Sequence, residues 1–188
     1  MTQNRPARDS AGTRRRILDS AEVLARRLGP ANLSLDAVAA EAGVSKGGLL
    51  YHYPSKAKLL EGLVADHLER LDRTLRAEEE TGRRDAVIIA YLRQFLRDQD
   101  LGTPPPSGLL AVLAENPQLL EPIKRHEEAV LARIRTNARD PDFATTAYLA
   151  VLGLRCTELL GTLPLPRDAA GLLVEELLTR MKNRTSAD

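Results

Sequence analysis

The sequence predicts an all-α fold of about nine helices, the first three of them ending by Tyr53. Three observations carry that expectation. Apolar residues recur at intervals of three and four along most of the chain, which is the spacing of one helix face. Residues that favour strands are scarce, with 2 Phe, 4 Tyr and no Trp in 188 residues, and sustained period-two alternation is absent. Capping residues, Gly and Pro divide the periodic stretches into segments of helical length.

The first helix is expected from Thr13 to Leu28, with Ile17, Leu18, Ala21, Leu24, Ala25 and Leu28 as its buried stripe. Gly29 and Pro30 then stop it. A second, short helix follows Ser34, a good N-cap, with Asp36 favourably placed against the helix dipole. It buries Leu35, Val38, Ala39 and Ala42 and ends at Gly43. The third runs from about Ser45 to Tyr53, where Pro54 disfavours further helix. Ser55 caps a fourth helix to about Glu80, with Leu59, Leu60, Leu63, His67 or Leu68, Leu71 and Leu75 turned inward. Gly82 breaks it, and residues 85 to 99 read as a fifth with Val87, Ile88, Tyr91, Leu92, Phe95 and Leu96 as its stripe. The run from Gly102 to Ser107 holds three prolines and reads as a stiff loop. After it come a short helix (Leu109 to Glu115), a longer one from Pro117 to Ala138, one from Asp140 or Asp142 to Leu160, and a last one from Arg167 to Lys182. The tail from Asn183 is expected to fray.

Composition narrows the class. Hydrophobic residues are 43% and charged residues 28%, an ordinary globular balance. No apolar run is long enough to span a membrane, and the polar, basic N-terminus lacks an apolar signal core. The single cysteine, Cys156, excludes an intramolecular disulfide and fits a reducing compartment, so a cytoplasmic protein is expected. Cys156 itself reads as a buried inert thiol, with a redox sensor as the alternative. The net charge of +1 hides an asymmetry: residues 1 to 56 hold nine Lys and Arg against five Asp and Glu, while the remainder is mildly acidic. A basic head on an acidic body suggests that the head meets a polyanion.

The informative stretch is Ser34 to Lys56, SLDAVAAEAGVSKGGLLYHYPSK. Two short amphipathic helices meet at Ala42-Gly43-Val44, and the small Ala39 lies four residues before Gly43. A small side chain there permits a close crossing, and glycine permits the left-handed turn. Val44 and Leu49 would plug the crossing. This is the logic of a helix-turn-helix whose second helix enters a DNA major groove; a plain helical hairpin is the alternative. Lys46 sits in the first turn of that second helix, and Gly47 and Gly48 leave its amides unshielded toward an anion. Those two glycines cost about 2 kcal/mol of helix propensity together, which makes sense where backbone must approach a duplex.

RRRILDSAEVLARRLG followed by LSLDAVAAEAGVSKGGLLYHYPSKAKLL closely resembles the DNA-binding domain of the tetracycline-repressor (TetR) family of bacterial transcription regulators. The resemblance covers about residues 13 to 62, and helix lengths, the AGVSKG turn and the YHYPSK exit fall in order. It implies a DNA-binding domain over residues 1–56, of which 1–12 would be a basic arm, and a ligand-binding and dimerisation domain over 57–188. It implies DNA contacts from Ser45, Lys46, Gly47, Gly48, Tyr51 and His52, and a phosphate contact from Lys56. Two positions depart: many members carry Thr or Asn where Gly48 stands and Tyr where Leu50 stands. Readout should therefore rest more on Lys46, Tyr51 and His52. The Ser34 hydroxyl is placed for a phosphate contact, and simple capping is an equal and compatible reading. Among the arm residues Arg5, Arg8, Arg14, Arg15 and Arg16, the better candidates for phosphate are Arg14, Arg15 and Arg16, which begin the first helix, Arg14 and Arg15 foremost; the alternative is a solvated end.

The last two helices, about 142–160 and 167–182, look like the pair that forms a four-helix dimer interface in the family. Ala147, Leu149, Ala150, Leu152, Gly153 and Leu160 spread apolar surface over more than one helix face, as a helix buried on two sides requires. A homodimer would match a palindromic double-stranded operator. A small-molecule effector would sit among the body helices, with Tyr91, Phe95, His126, Tyr148, Arg155 and Cys156 as candidate contacts; ordinary core or surface placement is the competing reading for each. Six Phe and Tyr in the chain disfavour a large aromatic multidrug pocket. The whole then reads as a ligand-released repressor coupled through the fourth helix. An enzyme is the first rival. No phosphate-cradle or dinucleotide motif and no metal-ligand cluster is present in the sequence, so no cofactor and no metal are expected. A helical interaction module without DNA binding is the second rival.

Overall fold

The computed structural model describes residues 8–28, 32–100, 117 and 120–185, which form eight helices. They are α1 (Arg8–Leu28), α2 (Leu35–Glu41), α3 (Lys46–His52), α4 (Lys56–Glu79), α5 (Ala86–Asp100), α6 (Leu120–Asn137), α7 (Pro141–Leu160) and α8 (Arg167–Thr185). The helix expected at Leu109 to Glu115, the triple-proline loop, Arg5 and the Gly29-Pro30 stop lie outside the described residues.

Two apolar cores organise the chain. The first joins Ile17, Leu18, Ala21, Leu24 and Ala25 of α1 to Leu33, Val38, Ala39, Leu49, Tyr53, Leu59 and Leu60. The expected α1 stripe is thus buried except for Leu28, which stays exposed at the helix end. The second core packs α4 to α8 through Leu71, Leu75, Val87, Ile88, Tyr91, Leu92, Phe95, Val130, Ile134, Ala147, Tyr148, Val151 and Val174. Helix α4 serves both. Its start belongs to the head core, past the boundary expected at Lys56, and Leu71 and Leu75 belong to the body. At that turn Leu68 is half-buried, and His67 lies near Arg155 and Asp98 of the body, where desolvation first and then the Arg155 charge hold its pKa below the ordinary value.

Several ends differ from expectation. Helix α1 begins at Arg8, so residues 8 to 12 continue the helix rather than forming an arm. Helix α6 is described from Leu120, residues 118 and 119 lying outside the described residues, and α8 runs on to Thr185, past the point where fraying was expected. Cap residues fixed the other boundaries well. The Ser55 hydroxyl accepts from the Lys58 amide, and the Asp140 carboxylate accepts from Phe143 with Pro141 in the first turn.

Charged contacts brace α4 on both sides. Arg70 donates to Glu22 at 3.0 Å and lies 3.3 Å from Asp66, which also takes Arg15 of α1 at 2.7 Å. One face further on, Arg133 of α6 donates to Asp72 at 2.5 Å and to Glu79 at 2.7 Å. The turn before α5 is pinned to the end of α6 by Asp85, 3% exposed and at φ +64°, whose carboxylate accepts from the Arg139 amide. The Asn137 side chain reciprocates by accepting from Val87 and donating to the Arg83 carbonyl.

Candidate nucleic-acid interface

The helix-turn-helix is built by local chemistry. The Ser34 hydroxyl accepts from the Ala37 amide and starts α2. Gly43 takes φ +63°, the left-handed geometry that ends α2, and the Val44 amide donates back to the Ala39 carbonyl at 3.0 Å. The Ser45 hydroxyl then accepts from the Gly48 amide and starts α3. Leu49 enters the head core, and Tyr53 leaves the helix in extended geometry with its ring buried. Leu49 and Tyr53 thereby anchor α3 from one side.

The opposite side of α3 is open. Lys46 and Gly47 are exposed, Tyr51 is 82% exposed, and Gly48, Leu50 and His52 are half-buried. Gly47 and Tyr51 stand one turn apart, as do Gly48 and His52, and the Tyr51 and His52 rings meet edge to face at 5.1 Å. The site residues expected on α3 are therefore gathered on one outward surface. The Gly48 amide, however, is taken by the Ser45 cap. It is not the free anion donor that the sequence suggested.

The flanking cations are engaged within the chain. Arg14 Nε donates to the Tyr53 hydroxyl at 3.1 Å with its guanidinium 5.9 Å from that ring centre, and this hydrogen bond is the main cause of a raised Arg14 pKa. Arg15 pairs with Asp19 and Asp66, both at 2.7 Å, and the Asp19 contact is the main cause of its raised pKa. These two arginines tie α1 to the end of α3 and to α4. Lys56 is half-buried at the start of α4. Lys46 reaches across the turn to Asp36, a residue whose role sequence reading limited to the helix dipole. Opposite charges in the first turns of two consecutive short helices were the available signal.

In the body, four of the six residues expected near an effector come together. The Tyr91 and Tyr148 rings lie 5.1 Å apart, and the Arg155 guanidinium sits 5.8 Å from the Tyr91 ring centre and 5.7 Å from that of Phe95. Burial pushes the Tyr91 hydroxyl well above its ordinary pKa. Burial and then the hydrogen bond to Glu127 do the same for Tyr148. Sequence reading missed the two acids of this cluster, Asp98, which pairs with Arg155 at 2.9 Å, and Glu127, which accepts from Tyr148. Among the described residues, His126 Nε2 and Arg155 Nε are buried without a hydrogen-bond partner. Cys156 is exposed on α7, against the expectation of a buried thiol, because it follows Leu149, Ala150 and Gly153 around the outward face of the helix.

That outward face is apolar. Leu149 and Leu160 of α7 and Leu172 and Leu173 of α8 are all at least half exposed, while Ala147 is fully buried inside the body. Helix α7 therefore has an inner face of Ala144, Ala147, Tyr148 and Val151 and an outer one of small and apolar residues.

An all-helical chain that presents a capped short helix outward from its own small core, on a larger helical body, is a helix-turn-helix regulator in architecture. Family models agree over both parts: "Bacterial regulatory proteins, tetR family" matches residues 17–63, and "Tetracyclin repressor-like, C-terminal domain" matches residues 85–182. The chain belongs to the TetR family, whose members are DNA-binding transcription factors and not enzymes. It is 34% identical over 79 residues to the nucleoid occlusion factor SlmA of Aliivibrio fischeri, a match covering 40% of each chain. The chain thus spans about two fifths of the length of that curated relative. A TetR-family transcriptional regulator from Rhodococcus sp. shares the fold with a TM-score of 0.67 at 22% identity, over 90% of this chain and 98% of that one. The multidrug binding protein EbrR complexed with ethidium gives a TM-score of 0.60 at 23% identity, over 88% and 97%. Among the described residues no helix is long and apolar enough to cross a membrane.

Proposed function

We propose that this regulator is a cytoplasmic homodimeric repressor that binds a palindromic operator and is released by a small molecule. The observation that carries the reading is the outward surface of α3, where Tyr51 stands 82% exposed on a helix otherwise anchored by Leu49 and Tyr53. This side chain is not part of the head core and stands, with Lys46 and Gly47, open to a partner. In this reading Lys46, Tyr51 and His52 meet base edges, Gly47 and Gly48 let the backbone approach, and the hydroxyls of Ser34 and Ser45 donate to phosphates while still accepting from their cap amides. Lys56 takes a phosphate at the start of α4. Arg14 and Arg15 act chiefly by bracing α1 against α3 and α4, and they reach phosphate only by leaving those partners.

The exposed apolar face of α7 and α8 supports dimerisation. A homodimer joined there reads a palindrome if its α3 helices stand about one duplex turn, ~34 Å, apart. EbrR, which shares the fold, binds ethidium, and this supports a small-molecule effector; the Tyr91, Phe95, Tyr148 and Arg155 cluster is the candidate wall of its site in this chain, with His126 as a further candidate. Cys156, being on the outward face, belongs with the dimer surface rather than with that wall. An effector that prefers a tilted α4 would change the spacing of the two α3 helices and oppose DNA by linkage.

The test is selection of bound duplexes from a random pool, followed by titration of the selected duplex against wild type and the Lys46→Ala/His52→Ala variant. The variant should lose the selected duplex and stay dimeric by light scattering. Unchanged affinity in the variant refutes the assignment, and a monomeric wild type refutes the dimer.

A further inference from the structure

We propose that Asp36 is a specificity-determining residue of the DNA interface, forming with Lys46 a donor–acceptor pair that reads one G·C base pair in each half-site. The inference rests on the proposed operator binding by α3.

The geometry is specific. Lys46 Nζ lies 2.9 Å from one carboxylate oxygen of Asp36 and 3.1 Å from the other, so the ammonium bridges both. Both side chains are mostly exposed, 62% for Lys46 and 69% for Asp36. The fold does not depend on the contact. Helix α2 is already started by Ser34, α3 by Ser45, and the turn between them is closed by the Val44–Ala39 hydrogen bond and by Leu49. An ion pair this exposed contributes little to stability.

The charge balance makes the carboxylate more telling. From Ser34 to Lys56 the chain carries Asp36, Glu41, Lys46 and Lys56, two of each sign. On a surface that meets a polyanion, an acid set against the first residue of the recognition helix opposes every phosphate-only contact. To bind DNA non-specifically, Lys46 must leave Asp36 or carry that carboxylate toward the backbone. Either route weakens binding to sequences that offer nothing in return.

A G·C pair does offer something in return. Guanine presents two acceptors, O6 and N7, and the cytosine N4 amino group beside O6 is a donor. O6 and N4 are hydrogen-bonded to each other in the base pair and so stand about 3 Å apart. The Lys46–Asp36 pair presents an ammonium and a carboxylate oxygen at the same separation, in the complementary order. Lys46 donates to guanine while Asp36 accepts from cytosine N4. An A·T pair offers thymine O4 and adenine N6 at the same spacing, so the preference for G·C rests on guanine N7: with one N–H kept on Asp36, the ammonium has two for O6 and N7, whereas the neighbour of thymine O4 away from adenine is only a methyl group.

The experiment uses the full chain. Wild type, Asp36→Ala and Asp36→Asn are each taken through selection from a random duplex pool. Each is also titrated against a mixed-sequence duplex of about 30 base pairs over a range of salt. Folding is checked by circular dichroism, and Asp36→Asn keeps the side-chain shape should the alanine variant be disturbed. The expected result is a wild-type motif with a fixed G·C pair in each half-site, a relaxed preference at that position alone for Asp36→Ala, and a shift toward adenine for Asp36→Asn. Affinity for the mixed duplex should rise about two- to five-fold in both variants. The slope of log affinity against log salt should steepen by about 0.9, as one more phosphate contact becomes available to Lys46. Identical motifs and slopes in all three proteins overturn the role of Asp36 while leaving operator binding intact. If wild type enriches no sequence and binds the mixed duplex without salt dependence, the DNA reading beneath it falls as well.

Discussion

Replacing Gly62 by alanine places two opposed effects in one side chain. Gly62 is inside α4, where alanine is favoured over glycine by about 1 kcal/mol. A β-carbon there would stand 2.6 Å from Tyr53 Cε1 and 3.3 Å from Cζ and the hydroxyl oxygen. Non-bonded carbons prefer about 3.5 to 4.0 Å, so the ring must retreat by roughly 1 Å. It has little room to do so, being 3% exposed, and its hydroxyl takes the Arg14 guanidinium at 3.1 Å. Overpacking of that kind costs about 1 to 3 kcal/mol, which leaves the variant up to about 2 kcal/mol less stable than wild type. Gly47 on α3 is the comparison, since a β-carbon there meets nothing within 4 Å. Gly47→Ala should gain a few tenths to about 1 kcal/mol, as the substitution is near the start of a short helix. Urea unfolding followed by circular dichroism measures both. If Gly62→Ala proves as stable as Gly47→Ala, the close approach of Tyr53 to α4 is not the constraint described above.

Two further outcomes follow from the body. Tyr91 and Tyr148 hold their protons in the folded chain above the ordinary tyrosine value of 10.0, whereas the unfolded chain ionises near it. The folded state then binds more protons, so stability should fall as pH rises above about 10, by about 1.4 kcal/mol per pH unit for each hydroxyl. Tyr91→Phe should flatten that fall in urea titrations between about pH 9 and about pH 11, and an unchanged slope would refute the assignment. Arg133 is 18% exposed and holds Asp72 and Glu79 of α4. Arg133→Ala should lose about 1 to 3 kcal/mol, between the values for buried and exposed pairs, because Asp72 keeps Arg76 as a second partner. An Arg133→Ala variant with a wild-type urea midpoint would show that this brace is dispensable.

The functional residues divide by how far their chemistry reaches along the chain. Ser34, Ser45 and Ser55 cap their helices through amides three residues on, and Gly43 turns left-handed where a helix-turn-helix requires it. Such contacts are legible because both partners lie in one short window. The family resemblance was legible for the same reason, as its motif is a run of adjacent local signals. Cys156 shows where that reading stops: periodicity marks α7 as apolar on two faces but not which face turns inward.

The amino-acid sequence alone determined the eight described helices, most of their caps and stripes, and the exposure of Lys46, Gly47 and Tyr51, because each is set within a few turns of chain. Only the tertiary structure decided that Arg14 and Arg15 face Tyr53 and Asp66, that Arg155 lies over Tyr91 and Phe95, that Gly62 makes room for Tyr53, and that Asp36 holds Lys46. Those partners come from different helices, several about 40 to 60 residues apart. Their pairing follows from how two cores orient the helices rather than from the order of residues within any one of them.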